Sequence, residues 1–416
     1  MGYRTLTEQD VIFYLQENVD FFDKDAQLTS KEIGDGNLNY VFHVKDAVSG
    51  KSVICKQALP YAKVVGESWP LTIDRSRIEC EALRAEYDLC PDLVPKVYHF
   101  NQELALIVME DLSDYTIMRK GLIQHEQYPE FPKQIGHFLA KTLFYTSDLA
   151  MDPFEKKKNV QKFTNPELCK ITEDLVYTDP FYNAETNAYN PELEEDVKAL
   201  WGNNELKLEV AELKKIFMTK AEALLHGDLH TGSIFVTKEK TKVIDPEFAY
   251  YGPMGYDVGA LIANFLLNYN AQEGLDRTEE EKKATRDYLA QSVVDIWETF
   301  EHEFRNYWYH EKEDGFFNER LLKDYQDRYM KEVFEDTIGV AGLELIRRTI
   351  GLAHVADQES IQDPTRRALA ERASLQLGEK LIMKRKEIGS IRNLVEFVAN
   401  QTAVKVFAKG KGDIEG

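Results

Sequence analysis

The sequence predicts an α+β chain of two unequal lobes, a small strand-rich one followed by a large, mainly helical one. Three observations predict it. Strand-like runs at 32–44, 52–57 and 104–112 crowd the first quarter of the chain, broken by one helical stretch at 73–86. The C-terminal half reads as helices over 278–304, 325–334, 343–350, 364–386 and 390–399, rich in Glu, Lys, Ala and Leu with few breakers. At 416 residues the chain has length for two or three domains. We place the first lobe at 1–109, a crossing segment at 110–112, the second lobe at 113–408 and a tail at 409–416.

Taken in order, residues 32–44 read as strand, glycine turn, strand. Gly34 and Gly36 lack a Cβ, so the backbone can turn tightly there and approach phosphate oxygens. An ordinary hairpin with glycines at its turn has the same pattern. In Ser52-Val-Ile-Cys-Lys56-Gln57, alternation sends Val53 and Cys55 one way and Ile54 and Lys56 the other. A lysine sharing a face with Ile54 calls for an anionic partner. The helix at 73–86 supplies candidates: Glu79 first, Glu81 as its rival, and the other glutamates as a solvated face. The apolar run 104–112 reads as a buried strand with an acidic exit at Glu110 and Asp111.

The strongest chemical signal follows. His226-Gly-Asp-Leu-His230 is trailed by Asp245-Pro-Glu247. Between them 233–237 and 242–245 read as short strands joined by a polar turn. Such a hairpin brings Asp228 and Asp245 to one end of a small sheet. Phosphoryl transfer needs that arrangement: one carboxylate orients the attacking hydroxyl while others hold metal on the phosphates. On an extended segment Asp245 and Glu247 would share one face and reach one metal or two. Hard carboxylate oxygens suit Mg²⁺. His226 reads as a brace of the loop, while His230 stays open. Asp257-Val-Gly259 reads as an N-cap bracing that loop, ahead of a core helix over 259–267. Of Tyr250, Tyr251 and Tyr256, which could line a substrate pocket, at least two read as aromatic core.

Glycine hairpin, lysine strand, helix glutamate, strand into hinge, and catalytic loop with metal motif follow the order of a protein kinase. The details depart from protein kinases: there is no H-R-D, D-F-G or A-P-E and no long segment after Asp245. The H-G-D-L-H form resembles the aminoglycoside and choline kinase branch, which acts on small-molecule hydroxyls. Gly34-Asp-Gly-Asn-Leu-Asn39, Lys56-Gln-Ala-Leu-Pro-Tyr61, Gly66-Glu-Ser-Trp-Pro70, His226-Gly-Asp-Leu-His-Thr-Gly-Ser233, Asp245-Pro-Glu247 running on to Gly255, and the pair Arg347-Arg348 together resemble the 5-methylthioribose kinase family. The resemblance runs from about Tyr3 to Val398.

The resemblance implies a bilobal protein-kinase-like fold and an ATP-dependent kinase acting on the 1-hydroxyl of 5-methylthioribose in methionine salvage. It implies Asp228 as base, with Arg347 and Arg348 at the sugar and the transferring phosphate. Asp245 and Glu247 would bind Mg²⁺. Gly34, Gly36, Asn39, Lys56, Glu79, Glu110 and Leu112 would form the ATP site, the last two at adenine. Trp69 would lie near the substrate, and the enzyme would be a homodimer. Arginine forks suit phosphate, although a helix at 344–351 could equally carry one of them as a surface charge. Ser233 stands where many relatives carry asparagine; a hydroxyl is the weaker metal ligand, and Glu247 is the candidate to replace it. Two alternatives stay open: a kinase for an aminoglycoside, choline or homoserine, and an inactive nucleotide-binding scaffold.

Composition bounds the partners. A net charge of −21 argues against nucleic acid and anionic membranes. Four cysteines without C-x-x-C or zinc spacing read as free thiols of a reducing compartment. The absence of a signal-like start and of a membrane-length apolar run points to the cytoplasm. The basic run 156–158 reads as a solvated face.

Overall fold

The structure, a computed structural model, describes the backbone of residues 2–33, 38–62, 66–311 and 316–412, and their side chains except those of 62–69 and 402–412. Gly34, Gly36 and the Trp69 side chain therefore lie outside the described residues.

The first part of the chain holds α1 (Glu8–Asn18), β1 (Leu28–Glu32), β2 (Asn39–Asp46), β3 (Ser52–Ala58), β4 (Tyr61–Ala62), β5 (Gly66–Pro70), α2 (Arg75–Leu89), β6 (Val97–Asn101) and β7 (Leu106–Glu110). Among the described residues β1, β2, β3, β7 and β6 lie side by side in that order, all antiparallel. The period-2 pattern decides what each face meets. Val53, Cys55, Leu106 and Val108 pack with Phe42 and Val44 against Leu6, Val11 and Leu15 at α1. Ile54, Ile107 and Met109 face the other way, into a core that holds Cys80 and Leu83 of α2. Lys56 thus emerges on the α2 side, as the alternation predicts.

After β7 come β8 (Thr116–Ile117), α3 (Met118–Ile123), α4 (Phe131–Tyr145), α5 (Pro153–Lys162), α6 (Pro166–Leu175), α7 (Glu194–Gly202), α8 (Asn204–Thr219), β9 (Ala223–Leu225), β10 (Ile234–Val236), β11 (Thr241–Val243) and β12 (Tyr250–Gly252). The chain ends in α9 (Gly255–Ala271), α10 (Glu279–Glu311), α11 (Glu319–Ile350), α12 (Ala356–Glu359), α13 (Pro364–Lys384) and α14 (Ile391–Gly412). The expected hairpin is β10–β11, with Ile234 opposite Val243. β12 returns to β9, with Tyr250 opposite Leu225. The loops carrying Asp228 and Asp245 both run between these two small sheets.

Three expectations are corrected. The stretches 325–334 and 343–350 form one helix, α11. Its glycines serve close packing rather than breaks: a Cβ on Gly342 would lie 2.6 Å from the Gly378 carbonyl oxygen, and one on Gly259 of α9 would lie 2.5 Å from the Thr337 oxygen. The core helix expected at 259–267 extends to Ala271 because its asparagines find buried partners. Asn264 bonds Arg119, Asn268 bonds Asp357 and Asn270 bonds Ser374. Lys156 is buried rather than solvated, with its Nζ 2.6 Å from Asp148 and 2.7 Å from the Ala221 carbonyl. Only Lys157 and Lys158 of that run are exposed.

All four cysteines are free. No described helix is long and apolar enough to cross a membrane.

Gly342→Ala sets two effects against each other. Alanine favours a helix by about 1 kcal/mol. A methyl group pressed against a backbone carbonyl costs about 1–3 kcal/mol. A net loss of up to about 2 kcal/mol is expected in urea denaturation; a gain would show that α11 and α13 separate freely.

Candidate functional site

The catalytic-loop motif leaves β9 through Gly227, whose φ is +85°. A Cβ there would meet the Phe248 carbonyl oxygen at 2.2 Å, so glycine is required. Asp257 braces the loop as expected, accepting from the N–H groups of His226 (2.7 Å) and Gly227 (3.0 Å). It does so from within α9 and is not its N-cap, since the helix already begins at Gly255. His226 reaches across to the metal-motif loop, its Nε2 2.8 Å from the Ile244 carbonyl oxygen. The buried Ser233 hydroxyl lies 3.2 Å from His230 Nδ1.

Asp228 sits against the twin arginines. Arg347 Nη2 and Arg348 Nη2 each lie 3.2 Å from its Oδ1, and His230 Nε2 lies 3.4 Å from Oδ2. Both guanidinium groups are aimed from behind by Glu344, 2.8 Å from Arg347 Nε and 3.3 Å from Arg348 Nε. Glu344, Arg347 and Arg348 are all buried, so neither arginine is a surface charge. Burial pushes the Asp228 carboxyl up, but His230, Arg348 and Arg347 outweigh it and hold the group well below the usual carboxylate range. Burial pushes His230 down against the pull of Asp228.

The second cluster forms around Lys56. Its Nζ lies 2.8 Å from Glu79 and in closer contact with Asp245. Glu81, the rival, points elsewhere and pairs with Lys162 at 2.6 Å. Asp245 and Glu247 do not share an extended segment. Asp245 has a φ of +73°, and Glu247 lies in a turn. The kink still gathers ligand oxygens of Glu79, Asp245 and Glu247 within 4.8 Å of one another. Glu247 Oε2 also receives Arg75 Nε at 3.0 Å and Asn39 Nδ2 at 3.4 Å.

Three carboxylates thus face two cations, Lys56 and Arg75, leaving negative charge in excess. The protonation tendencies follow. Burial opposes ionisation of Asp245, but Lys56 overcomes it and holds that group below its ordinary value. Burial and the Asp245 charge raise Glu247, and burial raises Glu79 against the pull of Lys56. A hard divalent cation would relieve this excess, and the donor set is all oxygen.

At the expected hinge, the Glu110 N–H donates to the Lys96 carbonyl at 2.9 Å, and its carboxylate takes the Lys96 N–H and Lys242 Nζ. The neighbouring Asp111 is tied to His43 (2.9 Å) and Ser52 (2.6 Å), which fixes this segment to β2 and β3. Leu112 is buried and accepts from the Tyr115 N–H. Tyr251 and Tyr256 are buried aromatic core, and Tyr250 packs on Phe217. Sequence reasoning missed Arg75, Glu344, Asn165 and Arg119. Asn165 holds the Glu247 and Ala249 carbonyls, and Arg119 pairs with Asp357 at 3.4 Å beside the catalytic loop. Only Glu344 carried a signal, the i,i+3 and i,i+4 spacing to the two arginines.

The phosphotransferase enzyme family matches residues 29–289. A methylthioribose kinase from Geobacillus sp. (strain WCH70) is 50% identical over 393 residues, covering 94% of this chain and 95% of that protein. A methylthioribose kinase from Bacillus pumilus (strain SAFR-032) is 48% identical over 395 residues, covering 95% of this chain and 96% of that one. The chain belongs to the methylthioribose kinase family. A solved Plasmodium vivax ethanolamine kinase is 14% identical with a TM-score of 0.45, covering 88% of this chain and 89% of that chain. Methylthioribose kinases in this family, as kinases, call for ATP and a divalent metal.

Two substitutions separate the helix glutamates. Glu79→Gln is expected to lower kcat/KM by about 1.4 kcal/mol or more, at least tenfold. Glu81→Gln should change it less than about twofold, because it removes only a surface pair. Comparable losses in steady-state kinetics would contradict the Lys56–Glu79 assignment. Glu344→Gln leaves two buried arginines short of a counter-charge and should lower stability by about 3 kcal/mol. Thermal unfolding checks it.

Proposed function

We propose that this protein transfers a phosphoryl group from ATP to the 1-hydroxyl of 5-methylthioribose, giving 5-methylthioribose 1-phosphate. The observation that carries the reading is the meeting of Asp228 with both Arg347 and Arg348, across from the Lys56–Asp245–Glu247 cluster. Family membership names the acceptor. The geometry alone supports a small-molecule kinase.

Asp228 accepts the proton of the 1-hydroxyl as its oxygen bonds the γ-phosphorus, and ADP departs. Arg347 and Arg348 stabilise charge on the transferring group, their Nη atoms being free to exchange one anion for another while Glu344 holds each Nε. Lys56, fixed by Glu79, contacts the ATP phosphates. By the family resemblance Gly34, Gly36 and Asn39 would contact the phosphates, Glu110 and Leu112 adenine, and Trp69 the sugar. Asp245 and Glu247 would hold Mg²⁺, which when bound neutralises phosphate charge. Ser233 is committed to His230 and is not assigned to the metal. The nucleotide lobe spans 1–109 and the substrate lobe 113–408, joined at 110–112. The enzyme acts as a cytoplasmic homodimer in methionine salvage.

Coupled ATP-consumption assays with Mg²⁺ test this reading. Turnover is expected on 5-methylthioribose and not on ribose, choline, homoserine or kanamycin. Asp228→Ala should lose about 10²–10⁴-fold. Turnover on another acceptor would replace the substrate, and ATP binding without turnover on any would favour the scaffold. Glu247→Gln should raise the Mg²⁺ concentration needed for half-maximal rate by about tenfold or more. An unchanged magnesium curve would remove Glu247 from the metal site.

A further inference from the structure

Arg75 is a wholly buried arginine at the start of α2, and each of its five N–H donors has an acceptor. Nη1 bonds the carbonyls of Leu59 (2.7 Å) and Thr72 (2.8 Å). Nη2 bonds the Leu38 carbonyl (2.8 Å) and Asn39 Oδ1 (3.0 Å). Nε bonds Glu247 Oε2 at 3.0 Å. One guanidinium therefore joins the exit of the Lys56 strand, the approach to the Glu79 helix, the β2 end of the glycine hairpin and the metal motif.

The contact with Glu247 is selective for one oxygen. Asn39 Nδ2, itself held by Arg75, approaches the same Oε2 at 3.4 Å. Both of these donors fall on Oε2, so among the described residues Oε1 is the oxygen left to a cation. Charge neutralisation alone would not need this arrangement, because a lysine supplies the charge. Five fixed donors on acceptors from separate segments need the planar fork.

We propose that Arg75 is a positioning residue for the metal site: by occupying Glu247 Oε2 it presents Glu247 as a one-oxygen ligand beside Asp245. The inference rests on the reading that Asp245 and Glu247 hold the divalent cation. Partners behind a metal ligand typically set affinity by about 10–100-fold.

The test measures Mn²⁺ binding to the full chain by electron paramagnetic resonance, for wild type, Arg75→Lys, Glu247→Gln, the double variant and Asp245→Asn. Arg75→Lys is expected to weaken Mn²⁺ binding about tenfold or more. In the Glu247→Gln background the same change should have no further effect, because Arg75 acts through that carboxylate. Wild-type affinity in Arg75→Lys, or losses that multiply in the double variant, would overturn the inference while leaving the metal site in place. Equal binding by wild type and Asp245→Asn would overturn the metal-site reading and this inference with it. If Arg75→Lys does not fold, Asn39→Ser removes the other donor from the same oxygen. It should weaken Mn²⁺ binding several-fold, and wild-type affinity there would overturn the proposal.

Discussion

Charge taken out of water must be matched, and the arrangement of this molecule follows from that constraint. An unmatched buried ion costs several kcal/mol, so each carboxylate in the interior needs a cation or a donor close by. Lys56 and Arg75 serve Glu79, Asp245 and Glu247; Arg347 and Arg348 serve Asp228 and Glu344. The members come from β3, α2, the two loops between the small sheets, and α11. Satisfying them holds the sheet, the hairpin and the helical core in one relation. The two clusters differ in balance. The first retains negative charge that a divalent cation can satisfy. The second pairs two carboxylates with two arginines; in the proposed reaction, proton uptake by Asp228 would leave those arginines short of a counter-charge that the transferred phosphoryl group would replace.

The backbone around these clusters is bent to suit them. Gly227 and Asp245 both have positive φ, and His226 ties one bend to the other through the Ile244 carbonyl. Asp257 fixes the Gly227 bend from the base of α9. That helix is buried along its whole length.

Residues whose role depends on near neighbours were legible in the sequence. Asp228, Asp245, Lys56 and Glu79 stand in short motifs, and alternation put Lys56 on the face of Ile54, which is the α2 side. Residues whose role depends on distant partners were not. Arg75 and Arg77 are two apart in one charged run, yet Arg77 pairs locally with Asp74 while Arg75 reaches Glu247, 172 residues away. Nothing local distinguishes them. Lys156 hid in a basic run for the same reason. That 325–334 and 343–350 join in one helix was not read, because the glycines between them find their use against neighbouring elements. The short spacing of Asp245 and Glu247 suggested a shared strand face, whereas a left-handed residue brings the two together.

The most direct test of the central claim is a crystal structure of the protein with Mn²⁺ and a non-hydrolysable ATP analogue, using the anomalous signal of the metal. The account predicts a peak bonded by Asp245 and by one oxygen of Glu247, with Lys56 still on Glu79 and turned toward the phosphates. An anomalous map empty at those carboxylates, with nucleotide bound and Lys56 still joined to Asp245, would contradict it.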